Sequence, residues 1–167
     1  MYGVVGVWGN SLCARHGLRA TTEDGKLATF SKFSQFIEDV HHKVHNLSAD
    51  TIKIMLTNTA PVATNAVKAD LTEITAGNGY TAGGTASAQA SSGQTGGTYK
   101  LVLTDVTFTA SGGSIGPFRY VVFYNDTPTS PADPLIGWYD YGSALTLLAG
   151  ESLLVDMVEA NGLLQAA

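Results

Sequence analysis

Charge is scarce in this chain. Asp, Glu, Lys and Arg make up 14% of its 167 residues, against roughly a quarter in an ordinary globular protein. Ser, Thr, Gly and Ala fill the gap. They give a polar, weakly charged exterior, either one that neighbours cover or one made of long Thr- and Gly-rich loops. Only nine Lys and Arg are spread along the chain, and the net charge is −5. The basic footprint that nucleic acid or an acidic headgroup surface requires is therefore lacking. Long apolar runs are lacking too, and none approaches the roughly 20 residues of a membrane-spanning helix. Cysteine occurs once, as Cys13, which excludes an internal disulfide and is compatible with a reducing compartment. Its only nearby base is His16, so Cys13 reads as an incidental thiol. Paired carboxylates, a Cys/His cluster and a P-loop are all missing, so neither an enzyme nor a cofactor is expected.

What is present is apolar patterning. Apolar residues reach 44%, enough for a real core in one domain. Residues Met1 to Lys26 stand apart, because Val4, Val5, Val7 and Trp8 are interrupted by Gly3, Gly6 and Gly9. No basic residue precedes that stretch, so it does not read as a secretory signal. Residues 1–27 are expected to be an extension. It is either an arm docking on a neighbouring subunit or a segment ahead of the true start near Leu27. Helical patterning begins directly after it, which points to the second. Residues 28–167 then form one β-rich domain.

Phe33, Phe36, Ile37, Val40, Val44 and Leu47 repeat at the helical period and predict an amphipathic helix over about 31–46, capped by Thr29 or Ser31. After Asp50 the period changes to two. Ile52, Ile54 and Leu56 alternate on one strand. Val67–Ile74 is read as a short edge strand, and Ala76–Thr98 as a long loop or a weak, exposed hairpin. Strands follow at Tyr99–Leu103 and Val106–Ala110. Phe118–Tyr124 is an unbroken apolar run expected to be buried on both faces. Leu135–Tyr141, Leu145–Leu147, Ser152–Met157 and Leu163–Leu164 complete the set. About eight short strands behind one helix predict a mainly β fold, an antiparallel sandwich or jelly roll with one N-terminal amphipathic helix.

Four motifs invite chemistry. Gly112-Gly113-Ser114-Ile115-Gly116 matches a serine nucleophile elbow, but Pro117 and a β run follow where a helix is needed. Gly77-Asn78-Gly79-Tyr80-Thr81-Ala82 matches a dinucleotide loop, but Gly83-Gly84-Thr85 cannot start the required helix. His41 and His45 fall one turn apart, yet no second cluster supplies the third ligand that zinc needs. Trp138, Tyr139 and Tyr141 would make a sugar-stacking platform, except that alternation sends Trp138 to the opposite face. No catalytic, cofactor or metal residue is expected. The aromatic residues Phe33, Phe36, Tyr80, Trp138, Tyr139 and Tyr141 are the candidates for core packing and subunit contact.

Phe33–Asn46 (FSQFIEDVHHKVHN), Met55–Asn65 (MLTNTAPVATN) and Ile74–Gly84 (ITAGNGYTAGG) resemble small structural proteins of tailed bacteriophages and prophages. Phe108–Asn125 and Leu135–Gly142 extend the resemblance, which starts near Ala28. It implies a virion component assembled in the host bacterial cytoplasm. Within that class the chain resembles capsid decoration, or cement, proteins, which sit on the head surface, often as trimers. The implied partners are the major capsid protein or another virion protein, and further copies of the chain. A tail or fibre-associated protein and a carbohydrate-binding sandwich are the alternatives. The expected contacts are the Ala76–Thr98 segment and the face of the Phe33 helix.

Overall fold

The computed structural model describes residues 15–18, 30–157 and 162–166. Most of the N-terminal extension, with Cys13 and Trp8, lies outside the described residues. The fold is mainly β, with antiparallel sheets and one α-helix. Its strands are β1 (Arg15–Leu18), β2 (Phe30–Lys32), β3 (Ile52–Thr57), β4 (Thr85–Ser87), β5 (Gln89–Thr95), β6 (Thr98–Leu103), β7 (Val106–Thr109), β8 (Ile115–Asn125), β9 (Leu135–Leu147), β10 (Ser152–Val155) and β11 (Leu164–Ala166). The helix, α1, is Gln35–His41.

The central sheet has the order β2-β9-β8-β3-β4. Its inner strands β8 and β3 are rich in β-branched, aromatic and other apolar side chains, which suit a pleated surface covered on both sides. Register places Ile54 opposite Phe123 and Leu56 opposite Val121. These four side chains enter the larger core together with Ile52 and Ile136. Met55 lies opposite Val122, and these point the other way into a second cluster with Phe33, Tyr120, Tyr124 and Leu135. The expectation that the Phe118–Tyr124 run is buried on both faces is therefore met.

Two smaller sheets, β1-β10-β7 and β11-β6-β5, complete the strands. β1 joins β10 in parallel, while the other strand pairs are antiparallel. Val106, Phe108, Leu153 and Val155 from one, and Leu101 and Leu103 from the other, share the larger core with the central sheet. Each fully buried side chain of this size contributes about 1.5–3 kcal/mol.

Three sequence expectations need correction. The helix is shorter than 31–46. Phe30–Lys32 pairs with β9 instead, and the Phe33 and Ser34 amides donate to Ile136 O and Ala63 O. At the other end Lys43 adopts φ +63°. The Val44 amide then donates to Asp39 O and the Lys43 amide to Val40 O, the bonding pattern of a Schellman stop. Lysine seldom fills that left-handed position, so the periodicity runs on past the true end. Second, Val67–Ile74 holds a 3₁₀ turn at Lys68–Asp70 and only a single bridge, Val67 to Pro134. Asp70 accepts the Ala66 and Val67 amides, which fixes the turn and lowers its carboxyl pKa. Third, Leu145–Leu147 is not a separate strand but the end of β9, which stays paired with β8 through register shifts.

Candidate contact surface

The six aromatic candidates do not form one surface. Phe33, Phe36, Tyr80 and Tyr141 are buried within the chain, and Trp138 and Tyr139 are half-buried. Trp138 packs on Phe33 at 4.5 Å between ring centroids, in the second cluster. Tyr139 packs on Phe30 at 5.3 Å and Phe123 at 5.7 Å, against the larger core. Burial there raises the pKa of its hydroxyl. Trp138 and Tyr139 thus lie on opposite faces of the central sheet, and no sugar platform is assembled from them.

The other motifs resolve into turns. Ser114 precedes β8, with no helix behind it, and its carbonyl accepts the Asn78 side-chain amide at 2.9 Å. Gly77 and Tyr80 exchange backbone hydrogen bonds of 2.8 and 2.9 Å, so this loop closes on itself and leads into β4. His41 is exposed while His45 is buried, because the Schellman stop falls between them. Among the described residues no three His, Cys, Asp or Glu side chains gather as a metal site would need.

Two buried polar networks organise the chain beside the central sheet. In the first, the Asn125 side-chain amide donates to Asp50 Oδ2 at 2.6 Å and lies 3.1 Å from His45 Nδ1. An amide N–H aimed at Nδ1 requires that nitrogen to be an acceptor, which is the neutral imidazole. Desolvation lowers the His45 pKa, and Asp39 and Asp50 offset part of that. His45 Nε2 and Asp39 Oδ2 are buried without a hydrogen-bond partner among the described residues.

The second network ties down the chain between Lys68 and Gly84. Glu73 Oε1 accepts the Tyr80 hydroxyl at 2.7 Å and the Gly83 amide at 2.6 Å. The Tyr124 hydroxyl donates to Gly83 O at 2.7 Å. Lys68 Nζ reaches Glu73 Oε2 at 3.5 Å and sits 5.4 Å from the centre of the Tyr124 ring. Burial pushes both tyrosine hydroxyls well above their usual pKa, and the neighbouring Glu73 carboxylate adds to this. These phenols act as fixed donors. Asp39 and Asn125 give no sequence signal because they are buried, and Glu73 gives none because its tyrosine and Gly83 partners lie seven and ten residues on.

The exposed feature opposite in character is the strand pair β5–β6. From Ile74 to Tyr99 no residue is charged. β5 is largely exposed along its length and, among the described residues, is the outer strand of its sheet. An open groove of about 470 Å³ runs beside it, lined by Ser91, Gly93, Thr95, Thr98, Lys100 and Gln165 among others. The Ala76–Thr98 segment, expected as a long loop or a weak hairpin, instead supplies β4 to the central sheet and β5, which forms a hairpin with the expected Tyr99–Leu103 strand. The groove holds hydrogen-bonding groups and no aromatic platform, so it suits a backbone or polar protein surface. No protein family matches the chain, and neither a curated protein nor a solved structure shows significant similarity to it.

Proposed function

We propose that this chain is a structural protein of a tailed-bacteriophage virion, acting through protein–protein contacts on the outside of the head shell as a decoration protein does. Its architecture in this reading is an antiparallel β-sandwich of jelly-roll character, in which the central sheet packs one face against the two smaller sheets. The observation that carries the reading is the division of labour between surfaces. Most aromatic side chains are taken up by the two cores, and His45, Asp50, Lys68 and Glu73 by the two polar networks, while Glu38, Lys43, Asp105 and Asp126 stand exposed elsewhere. The Ile74–Tyr99 stretch is set apart by carrying no charge, and its exposed, Ser/Thr/Gly-rich strand β5 lies beside a groove to which β6 contributes Lys100. The segments resembling phage structural proteins include this region's beginning, Ile74–Gly84, half of β3, all of β8 and most of β9.

A modest contact per copy suffices on a symmetric lattice, because many copies bind together and each raises the effective concentration of the next. The partners in this reading are the major capsid protein and further copies of the chain, with a trimer on the shell as the expected unit. Purified particles carrying a tagged copy test it. Co-sedimentation of the tag with intact heads is expected. A tag that stays in the soluble fraction overturns the reading, and a tag confined to tails replaces decoration by a tail role.

A further inference from the structure

Among the described residues nothing accounts for the glycine at position 93, in the middle of β5. Its φ is not positive, and a Cβ added there would meet nothing within 4 Å. Glycine inside a strand costs about 0.5–1 kcal/mol relative to alanine. Elsewhere the fold explains its glycines: a Cβ at Gly79 would overlap Thr109 O. A strand glycine often marks a bulge, a bend or a place where another backbone comes close, and the irregularity of this strand lies elsewhere, between Gln89 and Ser91.

The hairpin geometry says which groups that backbone meets. Gly96 and Gly97 form a two-residue loop with φ +61° and +89°, the signature of a type I′ turn. Thr95 and Thr98 close it, and in such a hairpin the closing pair is hydrogen-bonded. Alternation makes Gly93 and Lys100 the next hydrogen-bonded pair, with Gln94–Tyr99 and Ser92–Leu101 between and beyond. The N–H and C=O of Ser92 and Gln94 therefore point away from β6, toward the free edge.

We propose that β5 pairs edge to edge with β5 of a second copy, antiparallel, about a two-fold axis at Gly93. Ser92 of each copy then exchanges both backbone hydrogen bonds with Gln94 of the other. The two Gly93 residues face each other in a non-hydrogen-bonded pair, where Cα atoms approach to about 4.5 Å. This register keeps clear of the irregularity between Gln89 and Ser91. A second copy is the occupant because the edge is self-complementary under a two-fold. The edge also carries no Lys, Pro or inward charge, the devices that ordinarily prevent such pairing. β5 itself carries no charge, and Lys100, opposite Gly93 on β6, lies one strand further from the axis. The contact is smaller than the roughly 1,000 Å² of a stable interface, so the pair forms reversibly. It goes beyond the virion reading, since it is measured on purified protein without particles.

Sedimentation of the full chain over a concentration series is the test. The protein should show a reversible doubling of mass. Gln94→Pro removes one outward N–H and no bond to β6, so it should abolish the doubling with an unchanged melting temperature. Gly93→Lys and Gly93→Glu should each weaken association at least about tenfold by placing like charges opposite one another. Mixing those two variants should restore it. No doubling in the unsubstituted protein, doubling that survives Gln94→Pro, or no rescue on mixing overturns the proposal. Particle co-sedimentation in the face of that failure would leave the virion reading standing.

Discussion

The Tyr80 hydroxyl donates to Glu73 Oε1 at 2.7 Å while accepting the Leu56 amide at 3.0 Å. Leu56 lies beyond the point where β4 stops pairing with β3, since that ladder ends at Ile54–Thr85. A phenol thus takes the place of a strand at the edge of the sheet. The Ile74 amide completes the substitution by donating to Leu56 O at 3.1 Å. Removing the hydroxyl orphans a buried N–H, which costs about 1–3 kcal/mol. Tyr80→Phe should lower the urea midpoint by a corresponding amount, with the slope unchanged.

Gly84 explains why the segment before β4 is rich in glycine. Its φ is +71°, and a Cβ there would overlap the Ile54 carbonyl and crowd Met55 Cα. These are backbone atoms of the central sheet and cannot move aside. Gly84→Ala should destabilise the fold by at least about 2 kcal/mol, measured by thermal melting, whereas Gly93→Ala should not destabilise it at all.

Phe33 anchors the second core from outside any helix, being fully buried and stacked with Trp138. Phe33→Ala should cost about 3–5 kcal/mol and shift the Trp138 fluorescence to longer wavelength as the indole gains water.

His45 makes stability depend on pH. Its folded pKa lies below the ordinary 6.5, with desolvation the largest cause. Above that value the imidazole is neutral in both states. As pH falls below 6.5, the unfolded chain binds a proton that the folded one resists, so stability declines until the lower folded pKa is reached. The groups facing it are Asp39, Asp50, Asn125 and the Phe36 ring. The decline approaches at most about 1.4 kcal/mol per pH unit for one proton. Urea midpoints between pH 7.5 and 5.5 should fall, and His45→Gln should flatten the dependence.

Strands with strict alternation or an unbroken apolar run were legible in the sequence. Ile52, Ile54 and Leu56, and the Phe118–Tyr124 run, needed only the period of two. The helix boundary was not legible, because Lys43 occupies a position where glycine ordinarily gives the signal. The 68–74 segment was missed because the apolar spacing from Val67 to Ile74 hides the turn that Asp70 fixes, and because the Lys68 contact with the Tyr124 ring joins residues far apart in the chain. Of the six aromatic candidates for core packing and subunit contact, Phe33, Phe36, Tyr80 and Tyr141 are buried within the chain. Their split between two cores depends on the register of β8 and β9 and on the path of the chain through Phe33. The edge glycine at 93 carried no signal of its own, since its meaning depends on the open space around it.

The central claim is that the chain is a component of the virion surface. Gold-labelled antibody against it, imaged on purified intact particles, tests this most directly. The account predicts regularly spaced label over the head shell. Particles that bind no label, from lysates that contain the protein, would contradict it.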